Sequence, residues 1–114
     1  MKPFKLRVTA PEKTIKLDNA AQVSMRTTMG EIGILANHEN YMAVLTPGIV
    51  RIKTDDGKFA LAAILRGTVK VSRQKTTIIA VSLIHWMDDI EQSELERELE
   101  AARLALKEKT GSLR

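Results

Sequence analysis

Apolar and polar residues alternate along most of the first 86 positions. In FKLRV, Phe4, Leu6 and Val8 alternate with Lys5 and Arg7, and TIKL repeats the pattern with Ile15 and Leu17. QVSMRT sets Val23 and Met25 against Ser24 and Arg26; GIVRIKT sets Val50 and Ile52 against Arg51 and Lys53; GTVKVS brackets Lys70 with Val69 and Val71. A period of two marks strands with one buried face. Turn signals separate the runs: Ala10-Pro11-Glu12-Lys13, Asp18-Asn19, Pro47-Gly48, Asp55-Asp56-Gly57 and Ser72-Arg73-Gln74-Lys75. The Asp-Asp-Gly step is the clearest hairpin, because Gly57 can take the positive φ that such a turn needs. KTTIIAVSLI reads as a longer strand, more apolar and therefore more buried. Short strands at this spacing predict an antiparallel β-sandwich or barrel.

The period changes after Trp86. MDDIEQSELERELEAARLALKEKTG holds no proline, and no glycine before Gly111. Ile90 precedes a stripe of Leu95, Leu99, Ala102 and Leu106, which puts apolar residues on one side of a helix. Ser93 with Glu96, or Asp88 with Glu91, offers a capping box, acids crowd the first half, and Arg103, Lys107 and Lys109 close the second. Thr110-Gly111 is a stop signal. The expected organisation is a sandwich over residues 1–87 and a helical segment over 88–114. The fold class is thus mostly β with one C-terminal amphipathic helix, whose stripe is covered either by the sandwich or by a partner.

Composition narrows the chemistry. The chain has 114 residues and 44% hydrophobic content, enough for one domain with a core. It carries one Trp, one Tyr and two Phe, so that core is aliphatic. With no cysteine, disulfides and thiolate metal sites are excluded. No apolar segment follows Met1-Lys2-Pro3, and FALAAIL is far shorter than the roughly 20 residues of a membrane span. The expectation is a soluble chain without a standard secretion signal. The net charge of +4 comes from the first part: residues 1–90 hold thirteen Lys/Arg and eight Asp/Glu, whereas residues 91–114 hold five and six. Such an excess permits nucleic-acid or anionic-lipid contact without demanding it.

GEIGILANHENYMAVLTPG, residues 30–48, is the segment that most invites a functional reading. A P-loop needs GxxxxGK[ST], and a dinucleotide fold needs GxGxxG at a helix start. Gly30-Glu31-Ile32-Gly33 has neither, and it sets an acid where phosphate would approach. The GxxG clamp of KH domains lies between helices and does not oppose phosphate with a glutamate. Single-strand readers also want aromatic residues on a sheet face. His38 and His85 lack any HExxH context or third ligand, there is no GxSxG elbow, and Asp55/Asp56 and Asp88/Asp89 read as turn and cap residues. No catalytic, cofactor or metal site emerges. What remains is a rigid, exposed edge anchored by Ile32, Ile34 and Leu35 and suited to protein recognition. The alternative is a free-standing basic β-sandwich that binds nucleic acid.

The same segment resembles the signature of the ATP synthase epsilon subunit, G-E-[IL]-G-I-x-x-x-H followed by K/T-P-G and a strand. Here it is Gly30-Glu31-Ile32-Gly33-Ile34, His38, then Thr46-Pro47-Gly48-Ile49-Val50-Arg51-Ile52. LRVTAPEK, residues 6–13, is similar to that family's first strand and turn, and weaker likeness continues through Gly67–Val71 and TTIIAV. The resemblance implies a sandwich of roughly ten short strands. It also implies a noncatalytic rotor subunit of the central stalk, within the alpha/beta/gamma/delta/epsilon catalytic sector, that binds gamma and the c-ring and couples proton or sodium transport to ATP synthesis and hydrolysis. It needs no cofactor. By residue-wise carry-over, Glu31 with Gly30 and Gly33 faces the c-ring, and His38 with Tyr41 and Met42 faces gamma. The implied location is the cytoplasmic face of the bacterial inner membrane, reached only through the complex.

Departures from the family pattern alter these expectations. P-G-H-A-P-L-L is replaced by Ala36-Asn37-His38-Glu39-Asn40-Tyr41-Met42, which removes both prolines and a glycine. S-G-G-x-L-E-V is replaced by Leu65-Arg66-Gly67-Thr68-Val69-Lys70-Val71, with one glycine left. The helix is expected to end near Lys109, so the inhibitory second helix of many family members is expected to be missing. The nucleotide motif I/L-D-x-x-R-A becomes Ile90-Glu91-Gln92-Ser93-Glu94-Leu95. Glu94 replaces the arginine and would repel a triphosphate, which predicts no nucleotide binding.

Overall fold

The computed structural model describes residues 3–73 and 75–112. Seven strands precede the helix: β1 (Phe4–Thr9), β2 (Thr14–Thr27), β3 (Gly30–Ile34), β4 (Tyr41–Leu45), β5 (Gly48–Thr54), β6 (Phe59–Ser72) and β7 (Lys75–Ile90). A 3-10 turn, Gln92–Glu94, leads into α1 (Leu95–Ser112). The mostly β class with a C-terminal helix is as expected, but the strand count is seven rather than ten.

The difference arises because predicted strands fuse into long bent ones. TIKL and QVSMRT join in β2, although Asp18-Asn19 lies between them. That pair does not turn, because its hydrogen bonds go elsewhere. The Asp55 N–H donates to the Asn19 carbonyl at 2.9 Å, and Asn19 Nδ2 donates to the Asp55 carboxylate at 3.1 Å. The strand instead absorbs an irregularity near Ala20 in its pairing with β5. FALAAIL and GTVKVS likewise join in β6, across Gly67. A side chain at position 67 would place its Cβ 2.6 Å from the Ile79 carbonyl oxygen, so only glycine lets β7 run this close.

The long strands serve both layers of the sandwich and close it. β1 pairs with β2 and, in parallel, with β7; β7 pairs with β6, β6 with β5, and β5 with β2. The alternating residues meet inside, with Leu6, Val8, Val23, Ile52, Ile64 and Ile78 all buried. Gly57 turns the β5–β6 hairpin with φ +85°. That turn is held by hydrogen bonds from the Thr54 hydroxyl and the Lys58 N–H to the Asp56 carboxylate.

At the C-terminal end, β7 runs on to Ile90, past the expected junction between residues 87 and 88. Strand pairing with β6 reaches Phe59↔Ile90 and outcompetes the helical pattern there. Asp89 adopts φ +58° as the chain turns away. Neither expected capping box forms, and Glu91 caps the 3-10 turn through its backbone alone. The helix also carries through Gly111 to Ser112 instead of stopping at the Thr-Gly pair. Its stripe packs on its own sandwich: Leu95 and Leu99 join Phe59, Leu61 and Ile90 in a second core, with Ile49 at the margin. Lys58 fastens the corner by ion pairs to Asp89 at 3.0 Å and Glu91 at 3.6 Å.

Candidate protein-docking surfaces

The Gly30 segment forms one arm of a tight hairpin. β2 and β3 pair from Val23↔Ile34 to Thr27↔Gly30, leaving Thr28 and Met29 as the turn. Gly30 takes φ +112°, a conformation that side chains disfavour, so the glycine is required where the turn rejoins the strand. Buried Thr27 locks the turn: its hydroxyl donates to the Gly30 carbonyl at 2.9 Å and accepts from the Met29 N–H at 3.0 Å. Gly30, Glu31 and Gly33 are all exposed on this arm. Ile34 is the core anchor and Ile32 is half-buried, but Leu35 is exposed and does not anchor the segment as expected. Glu31 stands opposite Arg26 in the register. With Ser24, Arg51, Leu99 and Arg103 these two line a groove of about 420 Å³ between sandwich and helix.

The stretch His38, Tyr41, Met42 is divided by the strand that begins within it. Asn37 takes φ +62°, and the His38 N–H closes the bend onto the Leu35 carbonyl at 3.3 Å. The His38 ring meets Tyr41 edge-on, with centroids 6.1 Å apart, and its Nδ1 donates to the Glu39 carbonyl at 2.8 Å. Tyr41 is half-buried against the main core, whereas Met42, one residue on, points outward. Successive side chains in a strand face opposite ways, so Tyr41 supports the histidine from within while Met42 belongs to the outer surface.

That outer surface is the feature the sequence reading missed. Met42 (72% exposed) and Val44 (54%) on β4 face the same way as Ile79 (52%) and Val81 (59%) on β7. Thr68 links them, paired with Val44 on one side and Ile79 on the other. Pro47 and Leu65 extend the patch around a cavity of about 420 Å³. The apolar content of KTTIIAVSLI is thus not all buried: Ile78 and Ala80 enter the core, whereas Ile79 and Val81 meet solvent. The unbroken run Ile78-Ile79-Ala80-Val81 was the available signal. The hairpin adjoins this patch: the Thr28 N–H donates to the Val44 carbonyl at 3.0 Å, and the Thr46 N–H donates to the Arg26 carbonyl at 3.2 Å.

Of the aromatic rings, Phe4 and Phe59 are buried and Tyr41 and Trp86 are half-buried. Among the described residues, no group of His, Cys, Asp or Glu is placed to hold a metal, and no helix is long and apolar enough to cross a membrane. At the stretch compared with the nucleotide motif, Ile90 is buried, and Glu94 is exposed and paired with Arg97 at 3.2 Å.

A closed sandwich with a solvent-facing apolar patch and a charged hairpin at its rim is suited to docking another protein. The profile of the ATP synthase delta/epsilon chain β-sandwich domain matches residues 3–85, and the chain belongs to that family. It is 40% identical over 110 residues to the ATP synthase epsilon chain of Ruminococcus albus, covering 96% of this chain and 81% of that one. It is 36% identical over 109 residues to the epsilon chain of Caldicellulosiruptor bescii, covering 96% and 78%. A chain in the cryo-EM structure of the Euglena gracilis mitochondrial ATP synthase OSCP/F1/c-ring is similar with a TM-score of 0.65 and 28% identity, over 91% of this chain and 67% of that one. A chain of the Tetrahymena thermophila mitochondrial central stalk and c-ring shares the fold at 18% identity, with a TM-score of 0.59 over 73% and 68% of the two chains.

Proposed function

We propose that this chain is the noncatalytic epsilon-type subunit in the central stalk of an F-type ATP synthase, linking gamma to the c-ring so that ion translocation and ATP synthesis or hydrolysis stay coupled. It would lie peripherally on the cytoplasmic face of a bacterial membrane, held there by the complex. The observation that carries this reading is the patch of Met42, Val44, Ile79 and Val81, four apolar side chains each more than half exposed. Contiguous apolar surface rimmed by charge is what a permanent partner covers. Gamma is the partner assigned to it, with Met42 in the contact and His38 and Tyr41 supporting the loop beside it. Glu31, lifted clear on the β3 arm between Gly30 and Gly33, is assigned to the polar loops of the c-ring.

The experiment is a pull-down of the tagged chain from solubilised source membranes, with mass spectrometry of what accompanies it. Recovery of gamma, alpha, beta and c subunits is expected. Val44→Arg should cut gamma recovery at least about tenfold by burying a charge. Glu31→Lys should weaken c-ring retention by about fivefold, the scale of an exposed ion pair of roughly 1 kcal/mol. Clean recovery without any ATP synthase subunit would refute the assignment.

A further inference from the structure

β7 is flanked on both sides only over its first part. β1 lies along it in parallel from Lys5↔Lys75 to Thr9↔Ile79. It then departs at Ala10, where Ala10 and Lys13 exchange backbone hydrogen bonds of 2.9 and 3.3 Å and close a turn. β6 stays with β7 as far as Ile90. From Ala80 to Met87, the other edge of β7 therefore carries no strand among the described residues. Unpaired N–H and C=O groups along such an edge are a template for another chain, and proteins usually blunt them with lysine, proline or inward charge. This edge reads AVSLIHWM, with no charge and no proline before Asp88.

The surroundings match an open slot. The pairing with β6 skips Val81 and Ile84, two bulged residues, and Ser82 to Trp86 are all half-buried instead of alternating. Beside the edge lies a cavity of about 290 Å³, walled by the Ala10–Lys13 turn on one side and Val81–Trp86 on the other. His85 lines it, and its Nε2 is buried without a hydrogen-bond partner.

We propose that the Ala80–Met87 edge receives an extended segment of gamma as an added strand, held by backbone hydrogen bonds. The proposal rests on the stalk reading above. Continuity selects the occupant: Val81 belongs to both the apolar patch and the edge, so a protein seated on Met42, Val44 and Ile79 reaches the slot without leaving the surface.

Hydrogen–deuterium exchange of the full chain, alone at two concentrations and with purified gamma, tests it. Amides of residues 81–87 that point to the open edge should exchange rapidly in the free chain and slow by about tenfold or more in the complex, since a net backbone hydrogen bond is worth roughly 1 kcal/mol. Three results would overturn the proposal. If gamma binds and shields the β4 segment while these amides stay fast, the strand addition is wrong and the stalk reading stands. If gamma does not bind at all, both fall. If protection rises with the concentration of the chain alone, the edge belongs to a second copy.

Discussion

Gly67→Ala is the most direct test of how β6 and β7 are packed. The added Cβ would sit 2.6 Å from the Ile79 carbonyl oxygen and 3.3 Å from the Ala80 Cα. Both are backbone atoms, and neither can swing aside, because β7 is held at this point by β1 through Thr9↔Ile79 and by β6 through Thr68↔Ile79. Forcing one methyl group into a packed interior costs about 1–3 kcal/mol. Against that, alanine restricts the unfolded chain and returns about 0.4–1 kcal/mol. The expected net loss is about 1–2 kcal/mol, a fall in thermal midpoint of roughly 4–8 °C for a chain of this size. Gly33→Ala is the control: its Cβ would meet nothing closer than Gln22 Nε2 at 3.8 Å, so its midpoint should hold or rise slightly. Equal midpoints for the two variants, measured by circular dichroism, would refute the steric argument.

Two further outcomes follow from the same geometry. Leu99→Ala removes a buried side chain from the helix–sandwich core and should cost about 2–4 kcal/mol in urea unfolding, with proteolysis appearing first in α1. A loss below about 0.5 kcal/mol would mean the helix is not docked through this residue. The Thr54 hydroxyl, then the Lys58 N–H, hold the Asp56 carboxyl below its ordinary value of 3.8. The stability this contributes is present above that value and lost as pH falls through the lowered one. Asp56→Asn should therefore flatten the acid limb of a stability–pH curve, and an unchanged limb would sink the assignment.

The sequence made the inward residues legible but hid where strands end. Leu6, Val23, Ile52 and Val69 announce their burial by alternation, and all four are in the core. Gly57 announces its turn. Asp18-Asn19 misleads because its partner, Asp55, is remote in the chain and unknowable from local composition. Asp88-Asp89 misleads for a related reason: long-range pairing of β7 with β6 overrides a helical pattern. On the β3 arm Glu31 is exposed, as an acid between two glycines suggested, but a string of residues cannot say that Tyr41 and Met42 face opposite ways until the start of β4 is known. Gly67 is instructive because it stands where backbone crowding tolerates nothing larger.

The parallel pairing of β1 with β7 has a consequence for how the chain acquires its structure. Lys5 must find Lys75, and Thr9 must find Ile79, across most of the length of the polypeptide. Closing so long a loop is penalised before any contact rewards it, which places such topologies in the millisecond-to-second range of folding. During synthesis, β1 emerges well before β7 and has only β2 for company until β7 follows. Closure of the sandwich thus waits for β7, and a nascent chain halted before residue 75 would be left with its first strand paired on one side only.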